Sequence, residues 1–252
     1  MHSASFATFS ENTLRAFSDM SEDNRKALDR EVDMLKVVSG PNIVKFYGAV
    51  VTKDKVYHVS ELMDLGGLDR VLRDKLDMGL KVKVLRDVAG GMASLHAKNI
   101  LHRDLKPENV LCKAPLEAGN EGMCKITDFG TSRSVDNLFA MTMTKGAGTP
   151  LYMAPEILKG VEHYGGAVDV YSYGILMWSV FHDGAVPYVA CGFKNALVMQ
   201  NAVVEGTRPQ ITAEDIPEEL LGLMKRCWAA EPEERPTFEE IVGILADISV
   251  TP

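Results

Sequence analysis

A carboxylate, an ammonium and an amide lie close together in the run Ile100 to Leu111, which reads I-L-H-R-D-L-K-P-E-N-V-L. Asp104 can accept a proton, Lys106 can neutralise a phosphate, and Asn109 offers an amide oxygen to a hard cation. Held on one turn, the three suit proton transfer beside a phosphate and a metal ion. Each alone has a plainer reading, since an Asp in a turn ordinarily bonds its own backbone. A second carboxylate, Asp128, precedes Phe129 and Gly130, and a glycine there permits the chain to turn and aim the acid.

The flanking elements decide whether these groups can meet. Pro107 argues against continuous helix through the run, and its apolar ends read as short buried strands. Asn109 to Cys112 and Met123 to Thr127 are strand-like runs around the loop Ala114 to Gly122. Upstream, a helical period starts near Met20, with Asp23 as a cap and Ala27, Leu28, Val32, Leu35 and Val38 recurring, until Gly40-Pro41-Asn42 stops it. Two strands follow, Ile43 to Val51 and Lys55 to Leu62, joined by Thr52-Lys53-Asp54, and Asp64 to Gly67 reads as a linker. Helices are expected at Leu68 to Asp74, Leu80 to Lys98 (stopped by Asn99), Val168 to Phe181, Asn195 to Val204, Glu218 to Trp228 and Phe238 to Ile248. The Thr-, Ser-, Met- and Gly-rich stretch from Asp128 to Pro155 is too long for an ordinary connection and reads as a functional loop. The outline is α+β: a small mixed lobe, a hinge, and a larger helical lobe.

Composition narrows the function classes. With 252 residues, 46% hydrophobic and 25% charged, the chain can bury a full core as one large domain or two small lobes. A net charge of −8 argues against nucleic acid or an anionic membrane as the main partner. Cys112, Cys124, Cys191 and Cys227 show no CxxC spacing, so a reducing, cytoplasmic setting is expected. Met1 to Ser10 lacks the pattern of a signal peptide, and the most apolar window, Ile175 to Phe181, is too short to span a bilayer.

His102-Arg103-Asp104-Leu105-Lys106-Pro107-Glu108-Asn109 resembles the catalytic loop of the eukaryotic protein kinases in its serine/threonine form. Asp128-Phe129-Gly130 is similar to the family's metal-binding tripeptide, and Gly148 to Glu156 (G-T-P-L-Y-M-A-P-E) to its substrate-docking segment. The run from Cys227-Trp228 to Arg235-Pro236-Thr237-Phe238 resembles the tyrosine-kinase-like branch. The resemblance implies a two-lobed kinase fold: an unassigned tail at 1–13, a partial N-lobe at 14–62 with about three strands and one helix, and a C-lobe at 63–252. It implies transfer of the ATP γ-phosphoryl group to a Ser or Thr hydroxyl of a protein substrate, with ATP and Mg²⁺ as cofactors. Asp104 would be the base, Lys106 the phosphate contact, and Asn109 and Asp128 the Mg²⁺ ligands. Glu31 would orient the ATP-binding Lys. Ser60 would be the gatekeeper, with the backbones of Glu61 and Met63 bonding adenine. His102 and Phe129 would join Leu35 and Phe46 in an apolar stack between the lobes. Thr149 would bond towards Asp104 and Lys106, Glu156 would pair with Arg235, and Asp169 would hold the catalytic-loop backbone. A phosphate on Thr142 or Thr144 would pair with Arg103 and order the long loop.

The small lobe departs from the family pattern. No GxGxxG precedes Glu31, and Leu14-Arg15-Ala16-Phe17 falls where a V-A-I-K strand belongs. Arg15 would then stand at the Lys position, where a planar fork replaces a point charge. Two expectations follow: a shortened product of an active kinase, or a pseudokinase acting as a scaffold or allosteric partner. Oligomeric state is left open.

Overall fold

Runs of β-branched and aromatic residues pair first in the chain, because extended backbone lets such side chains pack across a pleated surface. The structure, a computed structural model, describes residues 38–51, 56–117, 122–128, 133–134 and 150–248. The expected helix from Met20 with Glu31 and Leu35, the strand at Arg15, and Phe129, Gly130, Thr142, Thr144 and Thr149 lie outside the described residues. Within them, β1 (Phe46–Val51) and β2 (Val56–Ser60) form an antiparallel pair with Phe46 opposite Ser60 and Val51 opposite Val56. These are two of the three strands expected in the small lobe.

The stretch read as a linker contains a short strand. β3 (Gly66–Gly67) pairs antiparallel with residues Leu111 and Cys112. Two glycines carry no strand propensity, so the pairing comes from the partner strand and from Gly66, whose φ of 72° demands glycine. A short helix α1 (Leu68–Val71) runs into a 3₁₀ turn at Leu72–Asp74. The long helix α2 (Met78–His96) starts two residues before the expected Leu80, because Asp77 caps it by accepting from the Leu80 N–H at 2.8 Å. Asn99, at φ 55°, turns the chain out of that helix as expected.

β4 (Ile100–Leu101) is buried, a 3₁₀ turn at Pro107–Asn109 follows, and β5 (Val110–Cys112) pairs antiparallel with β6 (Cys124–Ile126). β7 (Arg133–Ser134) pairs with β4. Helices α3 (Pro155–Leu158), α4 (Ala167–Phe181), α5 (Ala196–Val204), α6 (Glu218–Cys227) and α7 (Phe238–Asp247) complete the larger lobe. Each of the last three begins or ends within one residue of its expected bound.

α4 is the axis of the core. Tyr171, Tyr173, Ile175, Leu176 and Met177 are completely buried, so this helix is apolar all round rather than amphipathic. Tyr173 donates to the Leu85 carbonyl of α2 at 3.0 Å and meets Phe238 of α7 edge-on. Gly174 lets α6 approach closely: a Cβ there would sit 3.0 Å from Cys227 Cβ. The small lobe attaches through backbone: the Val44 N–H donates to the Ile126 carbonyl, and the Ile126 N–H to the Asn42 carbonyl, both at 2.9 Å. The architecture is a small strand-containing N-lobe on a helical C-lobe. Among the described residues no helix is long and apolar enough to cross a membrane.

Candidate active site

The loop between β4 and β5 is held from beneath by one buried carboxylate. Asp169, in the first turn of α4, is completely buried and accepts from the His102 N–H at 2.9 Å and the Arg103 N–H at 2.7 Å. His96 Nε2, at the end of α2, lies 2.8 Å from the same carboxylate. Burial pushes the Asp169 carboxyl up, but the His96 hydrogen bond and charge, His102 and the Arg103 N–H outweigh it and hold it below the usual carboxylate range. Asp169 is not the N-cap of α4, since that position belongs to Gly166.

That grip stabilises an unfavourable backbone at Arg103, and a second such residue lies at Asp128. Arg103 adopts φ 69° and Asp128 φ 61°, left-handed values that penalise a residue with a Cβ. A left-handed turn thus falls at Asp128 itself, and Asp tolerates this conformation better than most residues. His102 is fully buried and donates from Nε2 to the Thr127 carbonyl at 3.0 Å, which leaves Nδ1 to accept from the Asp104 N–H at 3.3 Å. The imidazole therefore couples the 102–104 backbone to the residue before Asp128.

The three chemistry-bearing side chains meet. Asp104 Oδ2 accepts from Lys106 Nζ at 2.8 Å and from Asn109 Nδ2 at 3.0 Å, and Asn109 Nδ2 also donates to the Asp104 carbonyl at 2.7 Å. The turn Pro107–Asn109 delivers Asn109 to this position, and the Thr127 N–H donates to the Asn109 carbonyl at 3.0 Å. Pairing of β5 with β6 thereby sets Thr127 against Asn109, and Asp128, which is exposed, follows as the next residue of that strand end. A carboxylate and an amide are hard oxygen donors of the kind Mg²⁺ takes together with phosphate oxygens, so these residues fit that ion.

At the hinge, Ser60 ends β2 opposite Phe46, and the Met63 side chain is buried while its carbonyl accepts from the Gly66 N–H. The Glu61 N–H is engaged by the Lys45 carbonyl. The Glu61 side chain does something its sequence context did not reveal: it accepts from the Lys45 N–H at 2.7 Å and from Lys125 Nζ at 2.7 and 2.9 Å, tying the hinge to β6. His96 was missed for the same reason. A histidine in a last helical turn reads as a dipole-matching charge, and nothing local points to Asp169.

The expected Glu156–Arg235 pair forms as a bidentate contact, 2.6 and 3.0 Å, with the Arg235 side chain fully buried. Arg235 also donates to the carbonyls of Ala167, Ala229 and Ala230, so every face of the fork has a partner.

This geometry can be set beside known proteins. The family model described as protein tyrosine and serine/threonine kinase matches residues 13–245. A Dictyostelium discoideum protein described as a LIM domain-containing serine/threonine-protein kinase is 38% identical over 232 residues, covering 90% of this chain and 34% of its own length. Human receptor-interacting serine/threonine-protein kinase 1 is 33% identical over 240 residues, covering 87% of this chain and 34% of its own. The chain thus spans about a third of the length of these two relatives. With a match over nearly its whole length and a loop built as described, the chain belongs to the protein tyrosine and serine/threonine kinase family.

Proposed function

We propose that the chain transfers the γ-phosphoryl group of ATP to Ser or Thr hydroxyls of proteins, as a member of the tyrosine-kinase-like group acting in the cytoplasm. The observation that carries this reading is the convergence of Lys106 and Asn109 on one oxygen of Asp104. Phosphoryl transfer is mostly positioning and charge stabilisation, and a carboxylate is needed to take the hydroxyl proton. Asp104 would hold the substrate hydroxyl and take that proton. Lys106 would swing from Asp104 to the transferring phosphate, and Asn109 with Asp128 would hold Mg²⁺. When bound, that ion neutralises charge on the phosphates. The backbones of Glu61 and Met63 would seat adenine beside Ser60, Glu31 would organise the roof, and Phe129 would pack against His102. Thr149 would orient Asp104 and Lys106, while phosphate on Thr142 or Thr144 would draw Arg103 and order the loop.

A second reading rests on Arg15, which would stand where the family carries a Lys and would set a planar fork in place of a point charge. It makes the chain a catalytically impaired scaffold with the same C-lobe. Radiolabelled ATP with Mg²⁺ and a generic Ser/Thr protein substrate separates the two. Transfer that falls about 10²- to 10⁴-fold in Asp104→Asn supports the enzyme. Equal signals from both proteins overturn it.

A further inference from the structure

β5 and β6 carry a pair of groups that phosphoryl transfer does not use. Cys112 and Cys124 stand opposite each other in the strand register, both are completely buried, and their sulfurs lie 2.8 Å apart as free thiols. The ladder decides what this pair can become. The Lys113 N–H donates to the Met123 carbonyl and the Thr127 N–H to the Asn109 carbonyl. Rungs alternate along an antiparallel pair, so Cys112 and Cys124 occupy a non-hydrogen-bonded position, where Cα atoms approach to about 4.5 Å. That lies at the short end of the roughly 4.4–6.8 Å over which a disulfide can close, so side-chain rotation suffices and the strands need not part.

We propose that Cys112 and Cys124 form an oxidative modification site, closing to a cross-strand disulfide under a peroxide oxidant. In the first half, one thiolate attacks a peroxide oxygen, the O–O bond breaks, and a sulfenic acid and water form. In the second, the neighbouring sulfur attacks the sulfenic sulfur and a second water leaves. The sum is two thiols and one hydrogen peroxide giving one disulfide and two waters, with both thiol protons in water.

The surroundings set rate and product separately. The hydrogen bond to Cys112 and then burial push the Cys124 thiol up, so thiolate is scarce and the first half is slow. The second half is fast because the resolving sulfur is already in contact, which diverts the sulfenic acid from further oxidation. The other two cysteines sit elsewhere: Cys191 is exposed, and Cys227 packs against Gly174 on α6, where burial pushes its thiol up to about 12. The bond would close the 113–123 segment into a loop and pin the two strands whose ends carry Asn109 and Asp128. This inference does not depend on phosphotransfer activity.

The test treats the native full chain with hydrogen peroxide, blocks remaining thiols with N-ethylmaleimide in denaturant, and maps the peptides by mass. The expected product is a 112–124 cross-linked peptide lighter by two hydrogens, reversed by dithiothreitol and absent in Cys112→Ala. The same treatment of denatured chain should scatter cross-links among all four cysteines. The oxidised native protein should melt a few degrees higher than the reduced one, because the cross-link restricts the unfolded chain. Full alkylation of Cys112 and Cys124 after oxidation, or a native product distribution matching the denatured one, would overturn the proposal.

Discussion

Removing the Asp169 carboxylate tests the claim that one buried acid holds the 102–109 loop. In Asp169→Ala the N–H groups of His102 and Arg103 lose their acceptor inside the protein. A buried donor without a partner costs about 1–3 kcal/mol, so two give roughly 2–6 kcal/mol. Relief of the desolvated charge offsets part of this, and His96, partly exposed, can re-solvate. The net expectation is about 3 kcal/mol, at the low end for breaking a buried charged pair. Asp169→Asn keeps the shape and one acceptor oxygen but turns an amide donor towards the other N–H, for about half that loss. The sign with pH is fixed by the depressed carboxyl. An acid whose folded value lies below its unfolded value of about 3.9 contributes stability above that value and loses it as pH falls through the folded one. The wild-type advantage over Asp169→Ala should therefore narrow as pH falls below about pH 4. Urea unfolding followed by circular dichroism at several pH values gives both quantities. A deficit under about 1 kcal/mol at neutral pH would mean the loop N–H groups find other partners, and the reasoning would fail.

Two further perturbations probe the scaffold. Arg235→Lys keeps the charge but cannot bridge both Glu156 oxygens and three carbonyls at once; a loss of about 3 kcal/mol is expected by thermal or chemical melting, and a neutral result would refute the fork's role. Gly91→Ala should improve helix propensity by about 1 kcal/mol yet lower stability, because the added Cβ would lie 2.7 Å from the Asn42 carbonyl oxygen and 2.8 Å from Ile126; a raised melting temperature would show that α2 and β6 have room to separate.

Much of the larger lobe is legible in the chain because its signals are local. A continuous apolar run marks α4 and periodic apolar residues mark α6 and α7, while Asn195 announces a helix start and Asn99 a stop. The residues of the 102–109 loop are legible for another reason: Asp104, Lys106 and Asn109, which meet in space, lie within six positions and so appear as a dense motif. The pairing of β3 is not legible, since two glycines have no pattern of their own. Neither are the Glu61–Lys125 tie and the His96–Asp169 contact, whose partners are far apart in sequence and ordinary in type.

The sequence by itself determined which candidate groups stand in the 102–109 loop, the α+β division into lobes, and the motif that marks the family. Only the tertiary structure decided how Asp104, Lys106 and Asn109 share one oxygen, and which carboxylate stabilises the left-handed backbone at Arg103. It also decided that two cysteines twelve positions apart in the chain face each other across β5 and β6. The physical reason is common to all three. Residue type and period are properties of short windows, whereas a hydrogen bond or a sulfur contact depends on where strands and helices from distant windows are packed.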